Sequence, residues 1–333
     1  ASANAAVMCV IVGMRNRSAA PKTLIDGDLS FTVANINAYL LDGPDLSVTR
    51  ESASLFGLPD MQFGNMPYDA GNLLMSREER EQLLLDYPEA AVFIRRFVGS
   101  QELIKGIDRF CLWIDDDRLE EAMAIPGVAR KIEATRLARL EMKDEAGQSL
   151  ADRPHQFREH YAPKKHAFLV PGVSSERRPY LPIDRASDDT IASNLNFALY
   201  DAPDWCMALI ASRLHLVWIG AVCGKLKSDF RYSNTLGWNT FPIPKFTEDQ
   251  LDALTKSAMA ILRCRYGYFP ATIADLYDPD KMPDDLRAVH KANDDLLESM
   301  YIGRPFRNDT ERLEHLFKLY AARVKKLKKG AAA

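Results

Sequence analysis

A change of pattern at Pro242-Ile-Pro244 constrains the fold more than any other feature of the sequence. Proline has no amide donor and confines the residue before it to extended geometry, so neither a helix nor a central strand runs through this point. Beyond it the sequence predicts helices. Thr247-Glu-Asp-Gln250 has the form of a capping box, and Leu251, Leu254, Ala258, Ile261 and Leu262 share one helical face up to a stop at Gly267. Pro283 to Tyr301 repeats the pattern through Leu286, Val289, Leu296, Leu297 and Met300. Asp309 to Leu327 does so through Leu313, Leu316, Phe317, Tyr320 and Val324. Helices with one apolar stripe must bury it, so these pack on each other or on the preceding part of the chain.

Ahead of the proline pair the pattern is mixed. Val7 to Val12 reads as a buried strand, and a start at Ala1 without Met or a polar lead-in suggests a piece of a larger protein. Arg15 to Leu29 is polar and turn-rich, and Asn35 to Leu41 is strand-like before the turn Asp42-Gly43-Pro44. Ser76-Arg-Glu-Glu79 is a second capping box opening a helix, and a further helix is expected from Glu89 to Phe97 after Pro88. Arg109 to Ile114 has the length and aromatic content of a strand, whereas Leu119 to Met142 has helical spacing. Phe168 to Val173 and Tyr180 to Ile183 look like strands either side of Ser174-Ser-Glu-Arg-Arg178, and Asp204 to Cys223 reads as a buried helix. The regular alternation of a nucleotide-binding sheet is absent, so the expected class is α+β with a small all-helical C-terminal part.

Function classes can then be excluded. The 333 residues carry 43 basic and 46 acidic side chains, a net charge of −3, so nucleic-acid binding would need a local basic face. The apolar run Ala5 to Met14 is too short for a bilayer span, which needs roughly 18 residues. Cys9, Cys111, Cys206, Cys223 and Cys264 are scattered, without a CxxC pair, which fits a reducing cytoplasmic setting better than a disulfide framework or zinc cluster. GxGxxG, GxxxxGK[ST] and GxSxG are missing, and His155, His160 and His166 lack the spacing that places two imidazoles on one helix face. Asp278-Pro-Asp-Lys281 and Glu141-Met-Lys143 read as a turn and a helix surface, and Cys223 as a buried structural thiol.

The best positive signal is Gly224 to Phe241. Lys225, Lys227 and Arg231 outweigh Asp229 there and are interleaved with Phe230, Tyr232 and Trp238, the mixture used to touch phosphates and base edges. Asn234 and its polar neighbours add short donors and acceptors. The pair Arg177 and Arg178, beside Tyr180, offers guanidinium groups able to reach guanine O6 and N7. The tail Arg323 to Lys329 carries five basic residues, which also suit the negative end of a helix dipole.

Taken together, several ordered blocks resemble the C-terminal part of the MmeI-like (type IIL) restriction-modification enzymes and their DNA adenine methyltransferase relatives. They are Asn35–Asp45, Phe63–Arg80, Phe93–Ile114, Phe168–Ile183, Lys225–Pro242, Ala274–His290 and Glu311–Tyr320. The resemblance implies residues 1–14 as the end of a methyltransferase sheet, 15–244 as a DNA target recognition domain and 245–330 as a C-terminal helical domain. It also implies a parent protein that uses S-adenosylmethionine to methylate adenine N6, with Mg if a nuclease domain is fused to it. The cofactor glycines and the Asn/Asp-Pro-Pro-Tyr/Phe motif of that chemistry do not occur in these residues, so the chain carries no catalytic, cofactor or metal site of its own. Its expected partners are double-stranded DNA and the methyltransferase domain of the same polypeptide, with no membrane. Arg177, Arg178, Lys225, Lys227, Asp229, Arg231, Tyr232 and Asn234 are the expected DNA-contacting residues. The competing expectation is a protein-interaction or scaffold module of a methyltransferase assembly.

Overall fold

The computed structural model describes residues 10–331 apart from 17, 19, 27 and 44. It divides into two compact units, Ala1–Ser47 and Val48–Ala333. In the first, β1 (Lys22–Asp26) and β2 (Leu29–Val33) form an antiparallel hairpin with Leu24 opposite Phe31 and Lys22 opposite Val33. Reading Arg15 to Leu29 as turn-rich misses this hairpin, because its strands are only five residues long and polar residues are spread through both of them. Asn35 to Leu41 is not a strand. The Asn37 side chain accepts from the amides of Tyr39 and Leu41 and bends the segment into a turn, leaving one isolated bridge between Ile36 and Asp42. The expected strand Val7 to Val12 begins outside the described residues, and its described part, Val10 to Val12, lies in no strand.

In the second unit, β3 (Gln62–Phe63) and β4 (Leu74–Met75) precede α1 (Arg77–Asp86), where Ser76 and Glu79 close the predicted capping box. Pro88–Phe93 then forms a single 3-10 stretch, and the expected helix to Phe97 is replaced by β5 (Ile94–Val98). Tertiary pairing decides this, since β5 lies between β6 (Phe110–Leu112) and a later strand and buries Ile94, Phe97 and Val98. Between β5 and β6 runs α2 (Ser100–Lys105). The helical stretch from Leu119 is split by Pro126 into α3 (Leu119–Met123) and α4 (Pro126–Leu140), and α5 (Glu145–Ser149) follows. The core of this part joins Leu73, Met75, Phe93, Phe97, Leu112, Trp113, Val128, Ile132 and Phe157. Arg139 of α4 is fully buried, and its guanidinium donates to the carbonyls of Pro67, Tyr68, Leu150, Arg153 and Gln156, fastening two separate segments to one helix.

The chain then builds β7 (His166–Pro171), β8 (Val173–Ser174), β9 (Asp184–Ser187), β10 (Thr190–Ala192) and β11 (Asn196–Tyr200). One sheet has the order β10-β5-β6-β4, with only the β10–β5 pair parallel, and the next has β3-β11-β7-β9, all antiparallel. Tyr180 to Ile183 is not a strand, and β9 begins one residue later. The buried helix expected over Asp204 to Cys223 is two helices, α6 (Trp205–Ile210) and α7 (Arg213–Val222), because Ser212 restarts the ladder by accepting from the amide of His215.

The helical end follows the sequence closely: α8 (Glu248–Tyr266), a short α9 (Ile273–Leu276), α10 (Asp284–Ile302) and α11 (Asp309–Ala331). Thr247 and Gln250 form the predicted box, and Gly267 ends α8. The helices are bound to the mixed region by buried polar side chains as well as apolar ones. Asn293 donates to the Ala208 carbonyl at 2.9 Å, and Asp294 accepts from the Arg213 amide at 2.7 Å and from the Tyr180 hydroxyl at 2.9 Å. Arg265 reaches the Ile183 carbonyl and the Asp184 carboxylate. The fold is thus α+β with a helical C-terminal region, and both lie within one compact unit.

Candidate nucleic-acid interface

After α7 the chain leaves the core at Cys223 and makes an antiparallel ribbon of β12 (Gly224–Leu226) and β13 (Asp229–Arg231), joined by Lys227 and Ser228. The turn forces Lys227 to φ 59°, a conformation normally left to glycine or asparagine. β8 completes a three-stranded sheet, with Phe230 opposite Ser174 and Arg231 opposite Val173.

Side chains alternate across this sheet, and the alternation sorts the predicted residues. Phe230 faces inward against Gly220 of α7, where an added Cβ would lie 3.2 Å from the ring. Lys225, opposite Phe230, stands over that ring at 5.6 Å and pairs with Glu176 at 3.3 Å. Leu226, Asp229 and Arg231 belong to the outward face, and Lys227 is exposed at the tip. Leu226 is 51% exposed, leaving its side chain on the surface of the ribbon.

One of the predicted contact residues belongs to the interior and a second is partly tied to it. Tyr232 is only 4% exposed, its amide bonds the Gly172 carbonyl at 2.9 Å and its hydroxyl lies 3.0 Å from His215 Nε2. Burial pushes the His215 imidazole down to about 3, so the ring is neutral, and Tyr232 anchors the root of the ribbon. Asn234 is half-buried, and its amide donates to the Met61 carbonyl at 2.7 Å while its oxygen accepts from the Thr235 amide at 2.9 Å, which uses one of its two N–H donors and one of its two oxygen lone pairs.

The arginine pair divides as well. Arg177 is exposed and bridges to Asp280 at 2.9 Å. Arg178 is half-buried, contacts the Ser174 hydroxyl at 3.3 Å, and burial lowers its pKa against the pull of Asp229 and Asp278. It lines an open groove of about 410 Å³ with Val173, Leu226, Leu195, Ser100 and Lys105.

Leu195, Ser100 and Lys105 were not read as site residues from the sequence. They come from α2 and from the turn before β11, where Gly172 approaches Leu195 so closely that a Cβ would meet its carbonyl oxygen at 2.8 Å. Ser100 also donates to that carbonyl. An exposed apolar residue among asparagines, Ser193-Asn-Leu-Asn196, was the one local clue. Five cations, Lys105, Arg178, Lys225, Lys227 and Arg231, thus surround the groove and ribbon against the carboxylates Glu176, Asp229 and Asp278.

Other candidate chemistry resolves into structure. His155 and His160 each contact an aspartate at 2.8 Å, Asp116 and Asp115, and His166 contacts the Ala202 carbonyl at 3.0 Å. Asp278 to Lys281 is a hydrogen-bonded turn. Burial pushes the Cys223 thiol up to about 12 and that of Cys111 higher still, so neither is a nucleophile near neutral pH. Among the described residues no group of three or more His, Cys, Asp or Glu side chains could hold a metal ion, and no helix is long and apolar enough to cross a membrane.

A mixed sheet region that projects a basic ribbon and closes with a helical bundle is the arrangement of a known class of recognition domain. The family model described as the MmeI target recognition domain matches residues 42–245, and the model for the MmeI C-terminal domain matches residues 246–328. The chain belongs to the MmeI family through these two domains. It is 37% identical over 318 residues, 95% of its length, to DNA methyltransferase A of Bacillus subtilis (strain 168). It also superposes with a TM-score of 0.83 and 33% identity on the type IIL restriction-modification enzyme MmeI in complex with DNA, over 89% of this chain. The chain spans 36% of the length of the first protein and 40% of the second.

Proposed function

We propose that the chain is the part of a larger S-adenosylmethionine-dependent DNA adenine-N6 methyltransferase that reads its double-stranded target. The observation that carries this reading is the outward face of the β12–β13 ribbon. A two-stranded ribbon fits the major groove of B-DNA, about 12 Å wide, and this one presents Lys227 and Arg231 as donors beside Asp229 as an acceptor. Lysine and arginine can donate to guanine O6 and N7, and a carboxylate can accept from the cytosine amine. Arg177 and Lys225, now paired with Asp280 and Glu176, are placed to exchange those partners for phosphates. Arg178 and Leu195 in the adjoining groove offer a donor and an apolar contact for a further base pair.

The division of labour has a physical reason. Methylation of adenine N6 requires the base to leave the stack, and the flanking duplex must be held while it does. In this reading the chain does the holding and reading. The methyltransferase domain of the same polypeptide holds S-adenosylmethionine, and Mg enters only if a nuclease domain is fused.

The test is retention of a randomised duplex pool by the full chain at several salt concentrations, with sequencing of the retained DNA. The expected result is one enriched motif whose affinity falls as salt rises, since each phosphate contact releases counterions. Retention without sequence enrichment, or binding only to a protein partner without salt dependence, would overturn it.

A further inference from the structure

The C-terminal end of α11 is the most strongly charged surface of the protein that the recognition ribbon does not explain. From His315 onward the sequence holds Lys318, Arg323, Lys325, Lys326, Lys328 and Lys329 and not one aspartate or glutamate. Lys318, Lys325, Lys326, Lys328 and Lys329 are exposed, and among the described residues none has an ion-pair partner. Several exposed cations on other helices are matched one turn away, as in Lys291–Asp295, Lys256–Asp252 and Arg136–Glu133. In the last turns Lys325 has Lys328 and Lys329 at i+3 and i+4, and Lys326 lies between Arg323 and Lys329 at i−3 and i+3, like-charge pairs that cost helix stability unless an anion is supplied from outside.

The charges are ordered. At 3.6 residues per turn, Lys318, Lys325 and Lys329 fall within roughly 40° of one another and form a stripe about 16 Å long. Arg213 at the start of α7 pairs with Asp309 at the start of α11 at 2.5 Å, and Trp218 further along α7 packs on Phe317 and Tyr320 at 5.1 and 6.0 Å. The two helices therefore run in the same direction, and past the shared Trp218–Tyr320 contact α11 extends about 13 Å to Lys329. Arg323 fixes the stripe in place by donating to the Leu55 carbonyl at 2.6 Å, and the Leu55 amide bonds the Asn239 carbonyl at 2.8 Å, just after the ribbon.

We infer that Lys318, Lys325 and Lys329 form a second nucleic-acid contact, a stripe that takes the phosphate backbone of duplex lying beside the sequence read by the ribbon. It rests on the proposed function, and it adds a sequence-independent contact to it. A stripe of lysines is suited to this because an ammonium is a point charge that pairs with any phosphate and carries no base information.

The experiment compares the full chain with the triple variant Lys318→Gln, Lys325→Gln, Lys329→Gln and with the control Lys256→Gln on α8. Affinity is measured across a salt series on two duplexes, one carrying the motif selected from the random pool and one of scrambled sequence. Three lost phosphate contacts lower the log–log salt slope by about 2.7. The expected result is that loss on both duplexes, an unchanged ratio between them, an unchanged helical circular dichroism spectrum and no effect of the control. An unchanged slope in the triple variant, while Lys227→Ala still weakens binding, overturns the stripe and leaves the ribbon standing. Weakening confined to the selected duplex also overturns it. Absence of salt-dependent binding by the unaltered chain would instead overturn the proposed function itself.

Discussion

Arg231 and Tyr232 are consecutive in the sequence, and the structure predicts opposite outcomes for removing them. Tyr232→Phe deletes one hydroxyl, which lies 3.0 Å from His215 Nε2 in a fully buried setting. His215 Nδ1 already has no partner, so the variant leaves the imidazole without a hydrogen bond from its ring. The cost of leaving one buried polar group unsatisfied is about 1–3 kcal/mol. Arg231 is exposed with no ion pair among the described residues, and Arg231→Ala should stay within about 0.5 kcal/mol of the parent in stability. In binding the order reverses. Arg231→Ala should relax one position of the selected motif by about 1–3 kcal/mol, whereas Tyr232→Phe should leave the motif unchanged at temperatures where the chain is folded. Urea unfolding gives the first comparison, provided the slope against denaturant is unchanged, and pool selection gives the second. A Tyr232→Phe variant of unaltered stability with a changed motif would refute both the core role of Tyr232 and the side-chain alternation from which it was argued.

The other predictions concern the parts that hold the ribbon in place. Arg139→Met strands five carbonyls that now share one buried guanidinium, and should cost at least about 3 kcal/mol by urea unfolding, with no recovery in Arg139→Lys, whose single ammonium cannot reach five acceptors. Asp294 is buried between Tyr180 and the helical end, and burial raises its carboxyl to about 6. Because the folded value lies above the unfolded one, the protonated form stabilises the fold below about pH 4, and this contribution is lost as pH rises through about 6. Asp294→Asn should remove that part of the pH dependence, and a stability profile of unchanged shape between pH 4 and pH 7 would count against it. Gly220→Val places a side chain where Phe230 now rests, so the ribbon should shift outward and the selected motif should weaken at all positions together, which pool selection would detect.

How much of this was legible beforehand depends on the range over which each feature is encoded. The capping boxes at Ser76, Thr247 and the long amphipathic stretches of α8, α10 and α11 were readable because they depend on residues three and four apart. The basic, aromatic character of Lys225 to Trp238 was readable too, as was the resemblance carried by ordered blocks. The direction of each side chain was not. Strands of three residues show too little alternation to assign a face, so Tyr232 looked the same as Arg231 until β13 was seen to pair with β8. The helix expected over Glu89 to Phe97 failed for a related reason, because partners in β6 and β10 outweighed local preference.

The sequence by itself determined the helical end, the start points of its long helices and the place along the chain where the basic ribbon would lie, because each is written in neighbouring residues. Only the tertiary structure decided which of those basic residues face outward, that Leu195, Ser100, Arg178 and Leu226 share one groove, and that α11 packs along α7. These relations join segments as far apart as Ser100 and Leu226, and no local pattern records a contact whose free energy comes from burial and pairing between distant parts of the chain.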